Sequence, residues 1–413
     1  MSITGQVGHI ALATQKDATT AASAAGSPVT QGNRYSAVKI TGDSLVSNNN
    51  PLAAEGEIGL GRDVSQMIPG GYSAAGAING NLRARAADIF LEGALGSKII
   101  QGNATRYRVS NDLPWWSILK KIGANSTTTP VEQILLRYQD AMVNTLSVSA
   151  PAGALATFSA GLISAGEQRI IPVSQGGSDA ATTLINSENN FVPSYNAESD
   201  DLLVFHGGRI LNGATGGAIA KDETFQSVEI SINNNIAADE YTIRPSRFLR
   251  SLTEGIRGVD VNMTLVFEDQ DKYSKYTYGA TANTQPGYSF YLGALQVLLA
   301  NWQIAEADPT KTATPIDAIG YSQGSFIGAT PFTGATPTDA SINPQAVQFN
   351  IPKLAFTGLP VALASGRIVV TTSARALKTA GGEDIITAFT RPRIGPGQTP
   401  SVAFDATAAT RYV

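Results

Sequence analysis

One segment of the sequence resembles a catalytic motif more than any other: Gly320-Tyr321-Ser322-Gln323-Gly324. Its G-x-S-x-G pattern matches the nucleophile elbow of serine hydrolases, where a histidine activates the serine for attack on a carbonyl carbon. That elbow needs a helix after the serine and a histidine later in the chain. Both histidines, His9 and His206, precede Ser322, and a glycine and a proline interrupt the segment that follows it. We interpret the motif as a Gly/Ser turn, with a serine hydrolase built on Ser322 as a distant alternative.

Acidic side chains cluster at two predicted strand ends. Glu268, Asp269 and Asp271 follow one strand, and Asp200 and Asp201 precede another. A calcium loop would need carboxylates at regular spacing around a central glycine, and that pattern is absent. With no cysteine and two histidines, the sequence offers no zinc or iron-sulfur ligand set, and it contains no Gly-Lys-[Ser/Thr] phosphate loop. We predict solvated strand-end charges and neither a metal nor a cofactor.

Three tyrosines interleave with two lysines downstream of these carboxylates. Tyr273, Tyr276 and Tyr278 alternate with Lys272 and Lys275, an arrangement that could stack single-stranded bases. The three acidic residues directly upstream would repel phosphate, so we predict an edge strand with its tyrosines on one face. No catalytic or ligand-binding set remains, and we predict that the chain is not an enzyme.

The composition indicates a component of an assembly. Charged residues make up 15% of the 413 residues, well below the roughly 25% of an average soluble domain. Uncharged polar side chains cost less to desolvate than charged ones, which suits a surface that neighbouring subunits cover. The net charge of -4 argues against a nucleic-acid binder. The first 28 residues lack the basic start of a signal peptide, and no apolar run approaches 18 residues, so we expect folding in the compartment of synthesis.

Alternation of apolar and polar residues with a period of two predicts strands with one buried face. Two segments show it most clearly. The residues predicted to be buried are Val228, Ile230, Ile232, Val259, Val261, Met263, Leu265 and Phe267. The residues predicted to lie on the opposite face are Glu229, Ser231, Asn233, Asp260, Asn262 and Thr264.

Other local patterns predict a hairpin and two helices. Residues 146–150 and 154–162 read as two strands joined by a Pro-Ala-Gly turn. Helical spacing predicts helices over residues 82–95, with Gly96 as C-cap, and over residues 291–302. Residues 112–123 suit either a helix or a strand.

The chain divides into one large β domain and two terminal segments. Residues 1–33, rich in small and polar side chains, predict an extended arm that orders only against a partner. Residues 392–413 contain three prolines and predict an extended tail. Between them, residues 34–391 form the predicted domain, with loop-like insertions near 171–196 and, outside the predicted helix, 281–337.

Two runs of sequence carry a family resemblance. Residues 228–236 form a strand ending in an Asn-Asn pair, and residues 254–269 form a Gly-rich link and a strand ending in Phe-Glu-Asp. These runs resemble the tail tube proteins, or major tail proteins, of long, non-contractile-tailed bacteriophages. Further similar segments, within a resemblance that spans residues 35–390, are Gly56-Glu57-Ile58 with Arg62, the helix to Leu95-Gly96, Leu113-Pro114, the hairpin at 143–163 and the late strand at 351–356.

The resemblance implies a mainly β fold, a β-sandwich or flattened barrel with one or two flanking short helices and extended terminal arms. It also implies six-fold rings of one chain that stack into a hollow tube through which DNA passes during ejection. Implied partners are further copies of the chain, a tape measure protein and tail terminator or tip proteins, without a cofactor or a membrane. The implied location is the virion tail, assembled in the host cytoplasm. The alternative is another phage or secretion-apparatus protein, such as a contractile-injection tube.

The same resemblance gives the six polar residues listed above a candidate role. If the apolar residues of these strands pack inside the sandwich, Glu229, Ser231, Asn233, Asp260, Asn262 and Thr264 share the other face. That face is polar, slightly acidic and without a basic residue among the six, which suits a DNA conduit because Lys or Arg would bind phosphate. We therefore predict that these six line the bore, the alternative being an outer, solvated face.

Overall fold

The computed structural model shows a mainly β chain, with two helices among the residues that it describes. The described residues are 9–15, 35–53, 66–101, 104–122, 134–170, 202–217, 219–239, 241–243, 245–279, 285–301, 345–361, 367–379 and 384–391. The helices are α1 (Ala84–Leu95) and α2 (Gln270–Tyr278).

The strands, in chain order, are β1 (His9–Thr14), β2 (Ser36–Val38), β3 (Gly42–Asp43), β4 (Val46–Ala53), β5 (Met67–Asn81), β6 (Gly96–Gln101), β7 (Ala104–Val109), β8 (Trp116–Ile122), β9 (Ile134–Pro151), β10 (Thr157–Ile170), β11 (Leu203–Ala214), β12 (Ile219–Lys221), β13 (Phe225–Asn233), β14 (Gly258–Val266), β15 (Leu292–Asn301), β16 (Ala346–Phe356), β17 (Val369–Ala376) and β18 (Thr387–Arg391).

The sheet closes on itself. Antiparallel pairing leads from β9 through β13, β14, β17, β16 and β15 to β11. The start of β11 then returns to the segment between β9 and β10, where the Ala156 N–H donates to the Leu203 carbonyl (3.2 Å). It also meets the residue after β5, because the Leu203 N–H donates to the Leu82 carbonyl (3.2 Å). A mainly β chain whose sheet closes around a filled interior agrees with the predicted fold class, a β-sandwich or flattened barrel.

Strands β13 and β14 have the predicted alternation. They pair directly, with Val228 opposite Met263 and Ile230 opposite Val261. Every predicted apolar residue of the two strands is buried in the main core, except that Phe267 is partly buried against it. Burial of such a side chain is worth about 1.5–3 kcal/mol, so the inward faces fix which side of each strand points outward.

The predicted hairpin is confirmed, and its strands are longer than predicted. β9 and β10 pair along most of their length, and Gly153 in the turn takes a left-handed φ of 81°. The other edge of β9 pairs with β8 through its first half and with β13 through its second half. This long strand therefore connects two regions of the sheet.

The first predicted helix is also confirmed. α1 ends at Gly96, which has a φ of 93° and donates its N–H to the Glu92 carbonyl. Most of its residues are buried, because the helix packs against β9 and against the edge formed by β6, β7 and β18. The rings of Phe90 and Phe158 lie 5.0 Å apart. The helix is thus part of the core.

The second predicted helix, over residues 291–302, is wrong. Leu292–Asn301 is strand β15, which lies between β11 and β16. Residues 293–300 are all buried. A strand that is covered on both faces reads as a continuous apolar run, and periodicity cannot separate such a run from a buried helix. The ambiguous segment at 112–123 is resolved as strand β8.

The tyrosine-rich segment predicted to be an edge strand is helix α2, so that prediction is also wrong. The Asp269 carboxylate accepts a hydrogen bond from the Asp271 N–H (2.7 Å) and caps the first turn. Gly279, at a φ of 86°, ends the helix. The ring of Tyr276 stacks on Phe356 with 4.1 Å between centroids. Helix capping at both ends outweighs the strand preference of tyrosine.

Part of the predicted N-terminal arm belongs to the sheet of its own chain. β1 pairs with β2 and β8, and Ile10 and Leu12 are buried in the main core. The expectation that this segment orders only against a partner is therefore wrong for His9–Thr14. Residues 1–8, 16–34 and 392–413 lie outside the described residues, as does the predicted insertion at 171–196. Within the insertion predicted at 281–337, residues 292–301 form the core strand β15.

Candidate functional site

The six polar residues singled out in the sequence lie on one face of neighbouring strands. Glu229 is opposite Asn262, and Ser231 is opposite Asp260, across the β13–β14 pair. Asn233 and Thr264 continue this face toward the two ends of the pair. None of the six is buried, in contrast to the apolar residues that alternate with them.

Uncharged polar residues extend this face over six neighbouring strands: β5, β10, β9, β13, β14 and β17. One row across the sheet consists of Asn79, Ser159, Ser147, Ser231, Asp260 and Arg375. The next row consists of Asn81, Thr157, Ser149, Glu229, Asn262 and Ser373. We call these two rows, with Asn233, Thr264 and Thr371, the polar face.

The sequence-based prediction missed the outer parts of the polar face. The signal was present, because Ser147 and Ser149 alternate with buried Leu146 and Val148. The alternation of β17 places Thr371, Ser373 and Arg375 outward in the same way. What the sequence does not contain is the strand order that brings these segments side by side.

The polar face carries few charges. Ser147 Oγ donates a hydrogen bond to Glu229 Oε1 (2.8 Å). Arg375 Nε lies 3.8 Å from Asp260 Oδ1, and both side chains are more than half exposed, so this ion pair contributes little to stability. One basic residue therefore does occur on the face, next to a carboxylate. The remaining members present hydroxyl and amide groups.

A buried junction at one end of β13 holds the strands of this face together. The Asn234 side chain is 1% exposed and donates to the carbonyls of Ala94 (3.1 Å) and Val143 (2.9 Å). Its Oδ1 accepts a hydrogen bond from Arg257 Nε (2.7 Å), and Arg257 also donates to the Ser110 carbonyl (2.9 Å). One amide thus ties β13 to the end of α1, to β9 and to the segment that leads into β14.

The junction explains why the Asn-Asn pair and the Gly-Ile-Arg link occur together. Asn235 adopts a φ of 47°, a left-handed conformation that asparagine tolerates, and its side chain donates to the Ile256 carbonyl (2.5 Å). Burial lowers the pKa of Arg257, although Glu254 and Asp384 favour its charged form. The motif is a structural clamp at the strand ends.

The family model for phage tail tube proteins matches residues 5–320, which is more than half of the chain. The chain belongs to the phage tail tube protein family. A search of curated proteins found no match. The family match and the resemblance of the β13–β14 region agree, while the late strand β16 lies beyond the matched residues.

Membership in the tail tube family indicates a structural component of the virion tail that assembles into a tube. The described residues contain no group of three or more His, Asp or Glu side chains arranged to hold a metal ion. Asp269 instead caps α2. Ser322, Asp200 and Asp201 lie outside the described residues. In the same described part, neither helix is long and apolar enough to span a membrane.

An open groove of about 490 Å³ lies between β11 and β13 of this tail tube protein. Asp222 in its wall is paired with Lys272, whose Nζ lies 2.7 Å from Asp222 Oδ2, and the lining residues Lys221 and Glu223 form a second ion pair (2.7 Å). Burial opposes the charge of Asp222, but hydrogen bonds from Lys272 and Thr224 outweigh it and lower the pKa of that carboxyl. The groove therefore combines two ion pairs and Arg209 with apolar side chains.

Proposed function

We propose that this chain forms homo-oligomeric, six-fold rings that stack into the hollow tail tube of a long, non-contractile phage tail and that DNA passes through the bore during ejection. The observation that carries the proposal is the polar face, which continues across six strands of a closed sheet. Family membership supports the tube, and the polar face supports the identity of its inner surface.

The chemistry of the polar face suits a bore. Hydroxyl and amide groups bind water and leave passing phosphates without a strong partner, whereas clustered Lys or Arg would hold them. The single arginine lies opposite Asp260, which offsets its charge. Charge acts over about 8 Å at physiological salt, so residues on the bore dominate the interaction with DNA.

We assign the tube domain to residues 34–391, with β1 as an added strand from the N-terminal segment. In this proposal, the rest of residues 1–33 and residues 392–413 act as arms between subunits. The insertion near 171–196 and the parts of 281–337 outside strand β15 lie outside the bore. The additional partners are a tape measure protein within the tube and terminator or tip proteins at its ends. Assembly takes place in the host cytoplasm.

Electron microscopy of the purified chain and of the virion tests the proposal. We expect rings with six-fold symmetry that stack into tubes, with the polar face toward the axis. A chain that stayed monomeric at high concentration and was absent from the tail would contradict the proposal. A contractile sheath around the tube would assign the chain to the alternative, a contractile-injection tube.

A further inference from the structure

Arg137 carries a buried charge that no carboxylate of the described chain matches. The residue is 8% exposed on β9, and its Nη2 donates a hydrogen bond to Oε1 of Gln168 on β10 (2.6 Å). Gln168 is neutral, and the ion pairs among the described residues include none with Arg137. Its Nε is buried and has no hydrogen-bond partner in this part of the chain. Because arginine keeps its proton in proteins, a buried guanidinium needs a compensating negative charge.

A second cation lies on the same face of the sheet. Lys121 of β8 is 6% exposed and pairs with Leu135, which lies two positions from Arg137 along β9. Leu119, two positions from Lys121, is directly opposite Arg137. Diagonal positions of this kind are about 7–8 Å apart, so two long side chains can both reach one small ion. The two positive charges therefore add in their attraction for an anion at this place.

Apolar side chains border the two cations on this face. They are Ala11, Leu119 and Ile170, with Tyr35, Ala37 and Leu135 packed against them. The Tyr35 hydroxyl forms a hydrogen bond with Ser117 Oγ (2.8 Å). Burial raises the pKa of Tyr35 to about 12, although the hydrogen bond with Ser117 and the charge of Arg137 act to lower it. The guanidinium thus lies near this hydroxyl, in a region of low dielectric where opposite charges attract strongly.

We propose that Arg137 and Lys121 form a binding site for a small oxyanion, with inorganic phosphate as the ligand. A guanidinium presents its N–H groups in a fixed fork that fits two oxygens of a phosphate, and Nε is the group of this fork without another partner. The burial of both cations limits access to a small ion. Ser147, the nearest member of the polar face along β9, is ten residues from Arg137, about 30 Å along the strand. The site therefore does not depend on the proposed bore.

Thermal unfolding in phosphate and in chloride at equal ionic strength tests the site. Arg137→Met keeps the apolar stem and removes the charge, and Arg169→Met is the matched control at an exposed arginine of β10. We expect phosphate to raise the unfolding midpoint of the unaltered chain and of the control by about 3 °C more than that of Arg137→Met. Phosphate strengthens apolar burial in any protein, and Arg137→Met measures that general gain. Equal gains in all three proteins would overturn the inference.

Calorimetric titration of the full chain with phosphate and with acetate measures binding directly. We expect the phosphate affinity of Arg137→Met to be at least tenfold lower than that of the unaltered chain, and the affinity of Arg169→Met to be unchanged. Circular dichroism verifies folding, and Lys121→Met takes the place of Arg137→Met if the latter fails to fold. Absence of phosphate binding by the folded, unaltered chain would overturn the inference, as would binding of acetate alone, which would assign the site to a carboxylate.

Discussion

Asn234 joins three elements through one buried amide, and its loss cannot be compensated locally. Asn234→Ala removes the acceptor of Arg257 and the donor to two carbonyls, while the space is too enclosed for bulk water. Unsatisfied buried groups cost about 1–3 kcal/mol each, and more where one is charged. We expect Asn234→Ala to lower the free energy of unfolding by about 3 kcal/mol, measured by urea denaturation.

The control for this variant is Asn262→Ala on the neighbouring strand. Asn262 is exposed and accepts a hydrogen bond from Ser373 Oγ at the surface (2.8 Å). We expect its loss to change the unfolding free energy by about 0.5 kcal/mol or less. Similar losses in the two variants would mean that the junction at Asn234 has no special role.

Two ionisable side chains near α1 make the folded chain less stable at alkaline pH. Burial opposes the charge of Lys98, but the carboxylates of Asp88 and Glu92 outweigh it and raise its pKa. Burial, together with the negative charge of Asp88, raises the pKa of Tyr107 well above its ordinary value. Both groups keep their protons in the folded chain at a pH where the unfolded chain releases them. The contribution of these two protonated groups to the free energy of unfolding is fully present below about pH 10 and decreases as the pH rises further.

Tyr107→Phe isolates one of these groups. The variant loses the hydroxyl that bonds to Asp88 and Thr390, so its stability at neutral pH should fall. Above about pH 10, its unfolding free energy should decrease less steeply than that of the unaltered protein, by up to about 1.4 kcal/mol per pH unit. Urea denaturation from pH 8 to 11 measures both slopes. Parallel curves would exclude Tyr107 as a source of the pH dependence.

At the scale of elements, the sequence predicts the strands that have one buried face and one solvent-exposed face. β13 and β14 follow this rule, and so does the hairpin of β9 and β10. β15 does not, because it is covered on both faces and its apolar run has no periodicity to read. The prediction of a strand at α2 is wrong for a different reason, because the helix caps Asp269 and Gly279 outweigh the strand preference of its tyrosines.

Two glycines have a left-handed backbone, and only one of them is crowded. Replacing each by alanine therefore compares the free-energy cost of a steric clash with the cost of the left-handed conformation alone. At Gly96, an added Cβ would lie 2.6 Å from the Asp112 carbonyl oxygen, whereas nothing lies within 4 Å at Gly153. Gly153→Ala should therefore cost only the left-handed conformation, about 1–2 kcal/mol. Gly96→Ala should cost more, about 3 kcal/mol or above, because the end of α1 must also move. Thermal unfolding compares the two, and equal losses would contradict this account of the C-cap.

At the scale of the whole molecule, the polar face depends on pairings between distant segments. Asn79 and Arg375 belong to one row although almost 300 residues of chain separate them. The alternation within each strand is local and readable, so the six residues of β13 and β14 could be predicted from the sequence. The order of β5, β10, β9, β13, β14 and β17 results from long-range packing, and no local pattern contains it.

Charge reversal on the polar face tests its proposed role in the tube. Glu229→Lys with Asp260→Lys adds two cations near Arg375, while the buried sides of β13 and β14 stay unchanged. We expect normal tubes but slower DNA ejection or DNA retained in the tail, because ammonium groups bind phosphates. Glu229→Gln with Asp260→Asn removes the same carboxylates without adding cations and should eject DNA normally. Ejection is measured by dye uptake on released DNA, and a reconstruction with these side chains on the tube exterior would refute the assignment.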